Sequence, residues 1–190
     1  VPPEGKLQFA KFIASAVDGA DLIIEAVPER LDIKRSVYHD IEAAAVDTLI
    51  ASSTSGILPS DLQADMLHPD RLLVAHPFNP VYLLPLIELV GGAKTSPATI
   101  DNAHHLFRQL GMHPLHVRTE IPAFIADRFL EAVWREALWL INDGVATTAE
   151  IDDAIRYGFG LRWAQMGLFE TYRVAGGEAG MAHFIAQFGP

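Results

Sequence analysis

Hydrophobic positions follow two different periods in the first part of the chain. Residues 22–27 form a largely apolar run of the length and β-branched character typical of a buried strand. Ile33, Val37 and Ile41 then recur at helical spacing, with charged residues between them. Because such strands and helices alternate over residues 21–119, we predict an α/β segment with a parallel sheet covered by helices.

Four further strands are predicted, at residues 48–52, 71–75, 86–90 and 113–117. Between the last two, Ser96 is suited to cap a helix and Pro97 to occupy its first position. Gly111 is placed to end that helix. Residues 113–117 then return as the last strand.

The strand pattern stops after residue 119. Residues 124–142 carry an apolar helical stripe formed by Ile125, Phe129, Val133, Ala137 and Leu140. Thr147 and Glu150 have the spacing of a capping box that opens another helix. We therefore predict two domains, a partial dinucleotide-binding domain at 1–119 and a helical domain at 120–190.

The glycine-rich loop of a dinucleotide-binding fold is missing from the sequence. Such a fold normally opens with a strand and a G-x-G-x-x-G turn, whose bare backbone amides approach the cofactor's pyrophosphate. Gly91-Gly92 lacks the third glycine, and we interpret it as a turn. Either the chain begins after the phosphate loop or the fold is different. The prediction is the C-terminal part of a Rossmann-type doubly wound sheet, followed by an all-α domain that is itself truncated.

Composition narrows the classes of function. The formal net charge is −10, which disfavours nucleic acid and anionic membranes as partners. The chain has no cysteine, which excludes disulfides, thiolate metal sites and cysteine nucleophiles, and we expect no metal. No apolar run approaches the ~20 residues of a membrane helix, and residues 1–6 do not resemble a signal peptide. We expect a cytoplasmic location.

Candidate chemistry lies near the ends of the predicted strands. A neutral histidine is the side chain best suited to remove a hydroxyl proton near pH 7, and an adjacent carboxylate fixes its tautomer and stabilises the imidazolium. His76 and Glu88 fit these roles, because a turn between them would bring one strand beside the next. A structural role for His76 is the alternative, but a carboxylate inside a buried strand requires a partner.

Two other polar residues allow different interpretations. Ser55 could donate to a substrate oxygen or stabilise a turn, and turn chemistry is the default. Glu25, in the first predicted strand, could point to solvent from the edge of the sheet.

Several motifs in order resemble the 3-hydroxyacyl-CoA dehydrogenase family. They are Ser52-Ser-Thr-Ser55, Ala75-His-Pro-Phe-Asn-Pro80, Glu88 and Ile121-Pro-Ala-Phe-Ile-Ala-Asp-Arg128, and the resemblance covers residues 20 to about 172. The resemblance implies an NAD-dependent dehydrogenase that dimerises through its helical domain. It assigns the catalytic base to His76, the base's carboxylate partner to Glu88 and a substrate hydrogen bond to Ser55. It assigns cofactor contacts to Ala26, Glu29, Lys34 and Asn79.

Asp127 departs from the family, whose acyl-CoA members have asparagine at this position. An ionised aspartate cannot donate to a substrate oxygen, but it would attract a cation. The alternative is an acid favoured by the helix dipole, without any ligand.

If the cation attracted by Asp127 is a quaternary ammonium group, aromatic side chains are its usual partners. The candidates are Tyr82, Trp134, Trp139, Trp163, Phe169 and Tyr172. Of these we favour Trp163 and Phe169 as pocket walls, with Arg162 as a partner for a substrate carboxylate or as an exposed arginine without a role.

A finer resemblance, through Gly160-Leu-Arg-Trp163 and Thr171-Tyr172, is to family members that act on L-carnitine. The predicted reaction is the NAD-dependent oxidation of the 3-hydroxyl of L-carnitine to 3-dehydrocarnitine. A 3-hydroxyacyl-CoA substrate and a non-catalytic oligomeric protein are the alternatives. NADP is the alternative cofactor, because the choice depends on an acidic or basic residue after the second strand of the complete fold.

Overall fold

Strands and helices are segregated along the chain, as the sequence predicts. The computed structural model describes residues 5–45 and 47–189, and it divides into two compact units, Val1–Phe129 and Leu130–Pro190. Residues 1–4, on which the signal-peptide expectation rests in part, and Pro190 lie outside the described residues. The limit between the units falls later than the predicted boundary at residues 119–120.

The first unit contains five strands and four α-helices in the part described. In chain order they are α1 (Ile13–Val17), β1 (Leu22–Glu25), α2 (Leu31–Ala44), β2 (Leu49–Ser52), α3 (Pro59–Leu62), β3 (Leu72–Pro77), β4 (Leu86–Gly91), α4 (Pro97–Gln109) and β5 (His113–Val117), with a 3₁₀ turn at Pro69–Arg71 before β3. The five predicted strands are therefore confirmed.

The sheet has the order β1-β2-β3-β4-β5 and is mixed. β1, β2 and β3 are parallel to one another, and β4 and β5 are parallel to each other, but β4 runs antiparallel to β3. The expectation of a parallel sheet is wrong at this pair. The segment between Pro77 and Leu86 is too short for a parallel crossover, which needs about a dozen residues or more.

Helices cover both faces of the sheet, which explains the continuous apolar runs of the central strands. Along β3, Leu72 and Val74 pack on one face, and Leu73 and Ala75 pack on the other. One core layer includes Tyr38 and Ile41 of α2. The other includes Ala103 and Phe107 of α4.

The predicted helix signals of α4 are confirmed. The Ser96 side chain accepts a hydrogen bond from the backbone N–H of Thr99, and Pro97 is the first helical residue. Gly111 follows the helix with φ of 82°, a left-handed conformation that favours glycine.

The turn that follows β4 is pressed against α3. A Cβ atom at Gly92 would lie 2.8 Å from the backbone nitrogen of Ser60 and closer still to Oε1 of Gln63. Gln63 is buried and donates from Nε2 to Thr95 Oγ1 at 2.8 Å. The interpretation of Gly91-Gly92 itself as a turn is wrong by two residues, because Gly91 ends β4 and the turn occupies residues 93–94. Gly92 has no room for a side chain.

The second unit is helical throughout its described residues. Helix α5 (Ala126–Asn142) begins in the first unit, and α6 (Thr148–Ala154), a π-helical turn (Ile155–Phe159), α7 (Gly160–Trp163), α8 (Leu168–Ala175), a 3₁₀ turn (Gly177–Ala179) and α9 (Gly180–Phe188) follow. The predicted capping box of Thr147 and Glu150 is confirmed. Among the described helices, none has the length and apolar character to cross a membrane.

Candidate active site

The antiparallel pairing of β3 and β4 places His76 directly opposite Glu88. Directly opposed residues of paired strands project to the same face of the sheet, so the two side chains meet. The distance between His76 Nδ1 and Glu88 Oε2 is 3.0 Å. The histidine is 6% exposed and the glutamate is fully buried. The structure thus brings together the two residues that the sequence assigns to proton transfer.

Two backbone amides complete the surroundings of Glu88. The N–H groups of Ile125 and Ala126 donate to Oε1 at 2.9 and 3.0 Å. They lie at the start of α5, where the helix dipole also favours a negative charge. Just before them, Ala123 and Phe124 have φ of 62° and 47°, which turns the backbone so that successive amides point at the carboxylate.

The amides and the histidine keep Glu88 ionised. Burial alone raises the pKa of Glu88, but the hydrogen bonds from His76, Ala126 and Ile125 outweigh burial and hold the pKa below its ordinary value of 4.5. An ionised carboxylate can only accept hydrogen bonds, so the proton of neutral His76 is assigned to Nδ1. The lone pair of Nε2 is then available as a base.

The imidazole of His76 is enclosed by aromatic rings and faces a second carboxylate. Its ring centroid lies 5.5 Å from that of Phe124 and 6.4 Å from that of Phe78. Nε2 lies 3.8 Å from Oδ2 of Asp127, which is beyond hydrogen-bond length but within range of an ion pair. The Asp127 side chain is 29% exposed. The sequence placed Asp127 near the substrate, and the structure places it beside the free nitrogen of the base.

A second buried carboxylate lies at the end of β1. The expectation that Glu25 points to solvent is wrong, because it is 3% exposed. It accepts hydrogen bonds from the Val27 backbone at 2.8 Å, Lys34 Nζ at 2.9 Å, the Tyr38 hydroxyl at 2.6 Å and the Ser52 hydroxyl at 2.7 Å. Helix α2 packs over this face and supplies two of the donors.

Glu29 connects this cluster to the loop that follows β2. Lys34 Nζ lies 3.4 Å from Glu29 Oε2, and the side chain of Glu29 is 45% exposed. Glu29 Oε1 accepts hydrogen bonds from the Thr54 hydroxyl and from the backbone N–H of Gly56. Partial burial raises the pKa of Glu29. These hydrogen bonds and the charge of Lys34 lower the pKa by more than burial raises it, so the pKa lies below its ordinary value.

The loop anchored by Glu29 carries Ser55, which is exposed. Ala26, after β1, and Asn79, between β3 and β4, are also exposed. Within the described residues no hydrogen bond joins Ser55 to His76. The structure thus joins Glu29 and Lys34 directly and leaves Ser55, Ala26 and Asn79 accessible at loop positions.

The remaining predicted substrate residues belong to the second unit. Phe169 lines an open apolar cavity of about 540 Å³, together with Tyr172, Met181, Phe184, Ile185, Phe188 and Gly189. Trp163 does not line this cavity and instead packs against Phe159, with ring centroids 4.7 Å apart. Arg162 is an exposed residue of α7. The structure does not bring Trp163 and Phe169 into one wall.

Sequence reasoning missed the donors that surround the buried carboxylates. Tyr38 has the spacing of a core residue, and nothing in the pattern distinguishes its hydroxyl from a solvent-facing one. The amides of Ile125 and Ala126 leave no side-chain signal at all. They belong to the motif at residues 121–128, but the left-handed turn in that motif is formed by Ala123 and Phe124, residue types that rarely adopt this conformation.

Known proteins match this chain along nearly its whole length. Residues 4–121 match the 3-hydroxyacyl-CoA dehydrogenase, NAD binding domain, and residues 124–190 match the 3-hydroxyacyl-CoA dehydrogenase, C-terminal domain. The chain belongs to the 3-hydroxyacyl-CoA dehydrogenase family. This confirms both the resemblance and the predicted fold class, a Rossmann-like sheet followed by a helical domain.

Among its relatives, the chain is 63% identical over 191 residues to the L-carnitine dehydrogenase/betainyl-CoA thioesterase of Rhizobium meliloti (strain 1021), covering 100% of this chain and 38% of that protein. It is 62% identical over 192 residues to the L-carnitine dehydrogenase of Mesorhizobium japonicum (strain LMG 29417 / CECT 9101 / MAFF 303099), covering 100% of this chain and 53% of that protein. The chain therefore spans about half of these relatives or less.

A solved structure with the same fold is that of 5-formyl-3-hydroxy-2-methylpyridine 4-carboxylic acid 5-dehydrogenase, described as an NAD⁺-dependent dismutase. Its TM-score is 0.89 at 36% sequence identity, and the match covers 96% of this chain and 59% of that one.

The lowered pKa of Glu88 predicts a pH-dependent contribution to stability. Because the folded pKa lies below the ordinary value of 4.5, the contribution is fully present above that value and is lost as the pH falls through the folded pKa. We expect Glu88→Gln to lower the free energy of unfolding by about 1.5 to 3 kcal/mol near pH 7, and the difference to narrow under acid conditions. Denaturant unfolding of both proteins over a pH series measures it, and a difference that does not vary with pH would contradict it.

Proposed function

We propose that this protein oxidises the 3-hydroxyl of L-carnitine to 3-dehydrocarnitine with NAD as the hydride acceptor. The observation that carries the proposal is the His76–Glu88 pair, in which a buried, ionised carboxylate leaves Nε2 of the histidine free to act as a base. The choice of carnitine is supported by the identity of 62–63% to proteins named L-carnitine dehydrogenase.

In the proposed reaction, Nε2 of His76 takes the proton of the substrate hydroxyl as the carbon–hydrogen bond at the same carbon breaks. The C–O bond becomes a carbonyl, and the imidazole becomes a cation. Glu88 stabilises that cation through Nδ1, at a distance of 3.0 Å. General-base catalysis of this kind contributes roughly 10²- to 10⁴-fold to the rate.

NAD, when bound, supplies the acceptor for the hydride that leaves the substrate carbon. The residues at the end of β1 fit such a group. Glu29 is half-exposed and ionised, so its carboxylate can accept hydrogen bonds from ribose hydroxyls. Ala26 presents little bulk to an approaching ligand, and Asn79 completes the proposed direct contacts. Lys34 contributes by holding Glu29, because its ammonium group is buried among Glu25, Val27 and Glu29.

Ser55 is proposed to hydrogen-bond a substrate oxygen. Its loop is anchored by Glu29 through Thr54 and Gly56, while Ser55 itself remains exposed. A fixed loop with a free hydroxyl is suited to orienting a ligand, since little ordering is left to occur on binding.

Asp127 is proposed to select a cationic substrate. L-Carnitine carries a trimethylammonium group separated by one methylene from the carbon that reacts, and Asp127 lies 3.8 Å from the nitrogen proposed to act on that carbon's hydroxyl. A carboxylate this close to the proposed base would attract a cationic group next to the reacting hydroxyl. Trp163 and Phe169 as pocket walls, and Arg162 as the partner of the substrate carboxylate, remain proposals for the helical domain.

A 3-hydroxyacyl-CoA is the alternative substrate, because the family takes its name from that reaction and the same base would serve it.

We also retain the proposals of a dinucleotide domain at 1–119, a helical domain at 120–190 that forms a homodimer, and a cytoplasmic location. Exposed apolar residues of α5, including Trp134 at 60% and Trp139 at 58%, support association through this domain. A non-catalytic oligomeric protein is the remaining alternative.

The proposed base predicts a large loss of activity on one conservative change. In the full-length protein, His76→Gln is expected to lower kcat for L-carnitine oxidation by about 10²- to 10⁴-fold, because the change removes the proposed base. NADH formation at 340 nm measures it, with L-carnitine and 3-hydroxybutyryl-CoA as parallel substrates. Near-normal turnover by the variant would refute the mechanism, and turnover of the thioester alone would refute the substrate.

The role of Asp127 predicts a loss that depends on substrate charge. Asp127→Asn is expected to raise KM for L-carnitine about tenfold, which corresponds to about 1.4 kcal/mol of lost attraction. The matched control substrate is 3-hydroxy-5,5-dimethylhexanoate, in which carbon replaces the charged nitrogen without changing the shape. Its KM is expected to stay constant or to fall, and an equal rise for both compounds would refute the role.

A further inference from the structure

Ser60 joins two segments that are far apart in sequence. It lies in α3, where its hydroxyl donates to Glu120 Oε1 at 2.5 Å and accepts from the Ala93 backbone at 2.8 Å. Its own backbone N–H donates to Glu120 Oε2 at 3.0 Å. Ala93 belongs to the turn after β4, and Glu120 lies between β5 and α5. One serine therefore ties the turn after β4 to the segment before α5.

These two segments also flank the hydrogen bonds of Glu88. β4 carries Glu88 itself, and the segment before α5 leads directly into the amides of Ile125 and Ala126. The region of β4 and the segment that precedes α5 (residues 120–126) are thus held together twice, once at Glu88 and once at the link between Ser60 and Glu120.

The turn in residues 120–126 needs such a link, because its conformation is unfavourable by itself. Ala123 and Phe124 both have positive φ, a left-handed conformation that is unfavourable for residues that have a Cβ. Conformations of this kind persist only where neighbouring contacts determine them. At its end the turn is held by Glu88, and in its middle by the buried ring of Phe124. At its start it is held by Glu120.

The other side of the link is fixed as well. Gly92 packs so closely on α3 that it cannot carry a Cβ, and Gln63 of the same region accepts from the Lys94 backbone at 3.2 Å. The turn after β4 is therefore held against α3, and Ser60 of α3 in turn holds Glu120, at the start of the segment that leads into α5.

We propose that Ser60 and Glu120 are positioning residues of the proton-transfer site, which hold the turn whose amides bind Glu88 and thereby keep that carboxylate against His76. This inference rests on the proposed function only in that the pair of His76 and Glu88 is taken to be catalytic. Neither Ser60 nor Glu120 touches the substrate or the cofactor in this account.

A loosened turn changes the charge balance at Glu88 in a known direction. The amide hydrogen bonds lower the pKa of Glu88, so their weakening raises it. The charged groups around the pair are His76 from β3 and Asp127 from α5, and neither is altered by a change at Ser60. The titration of the Glu88 carboxyl in such a variant is therefore expected to move to higher pH.

The experiment compares Ser60→Ala, Glu120→Gln and Ser60→Thr in the full-length protein. Ser60→Thr is the matched control, because it retains both the hydroxyl and the backbone N–H. Two quantities are measured: kcat/KM for L-carnitine against pH, and the titration of the Glu88 carboxyl followed by carbon-13 NMR without substrate. Because Glu120→Gln keeps the size of the side chain, it serves if Ser60→Ala does not fold.

For Ser60→Ala and Glu120→Gln we expect the Glu88 titration to move up by roughly half to one pH unit, with a loss of about 3- to 10-fold in kcat/KM at the acidic pH values where protonated Glu88 becomes populated. The loss is expected to diminish at higher pH, and Ser60→Thr is expected to match the parent protein.

Two outcomes would overturn the proposal. One is an unchanged Glu88 titration in both variants, and the other is an equal loss of rate at every pH together with a lower Tm, which would show an ordinary structural contact. If the parent protein does not oxidise L-carnitine, the proposed function fails, and the NMR titration still decides the positioning role.

Discussion

The structure around the candidate site depends on one buried carboxylate. Glu88 is fully buried, and an ionised group in that position is strongly unfavourable unless hydrogen bonds replace the water it has lost. His76 Nδ1 lies against one oxygen, and the amides of Ile125 and Ala126 bind the other. One side chain thereby connects β3, β4 and the beginning of α5, and orients the imidazole that is proposed to act as the base.

The mixed direction of the sheet makes this arrangement possible. Because β4 returns antiparallel to β3, His76 and Glu88 are cross-strand partners and do not have to reach each other across a loop. A second carboxylate, Glu25, has a comparable function at the end of β1, where it gathers donors from α2 and β2. Both carboxylates fix a neighbouring basic side chain, a histidine in the first case and Lys34 in the second.

The features that could be predicted from the sequence are those that a local pattern of residues determines. Apolar runs gave the five strands, capping residues gave the ends of α4 and the start of α6, and the cost of a charge inside a strand led from Glu88 to His76. The direction of β4 was predicted wrongly, although the short connection after Pro77 contains the information. The burial of Glu25 could not be predicted, because it depends on donors that α2 brings from elsewhere in the chain.

The contacts that sequence could not reveal are those without a characteristic side-chain pattern. The amides that bind Glu88 depend on the backbone conformation of Ala123 and Phe124, and no residue type in that turn requires positive φ. The link between Ser60 and Glu120 joins positions that are distant in sequence, and either residue alone is unremarkable. The sequence shows which aromatic residues the helical domain contains, but it could not predict how they are arranged, since Trp163 and Phe169 lie in different surroundings.

The most direct test of the account is the protonation of the two ring nitrogens of neutral His76, measured by nitrogen-15 NMR of the full-length protein. Proton transfer to His76 requires the hydrogen on Nδ1, facing Glu88, and a bare Nε2, because only that tautomer leaves a lone pair for the substrate's proton. Nitrogen shifts that show a protonated Nε2 and a bare Nδ1 would contradict it.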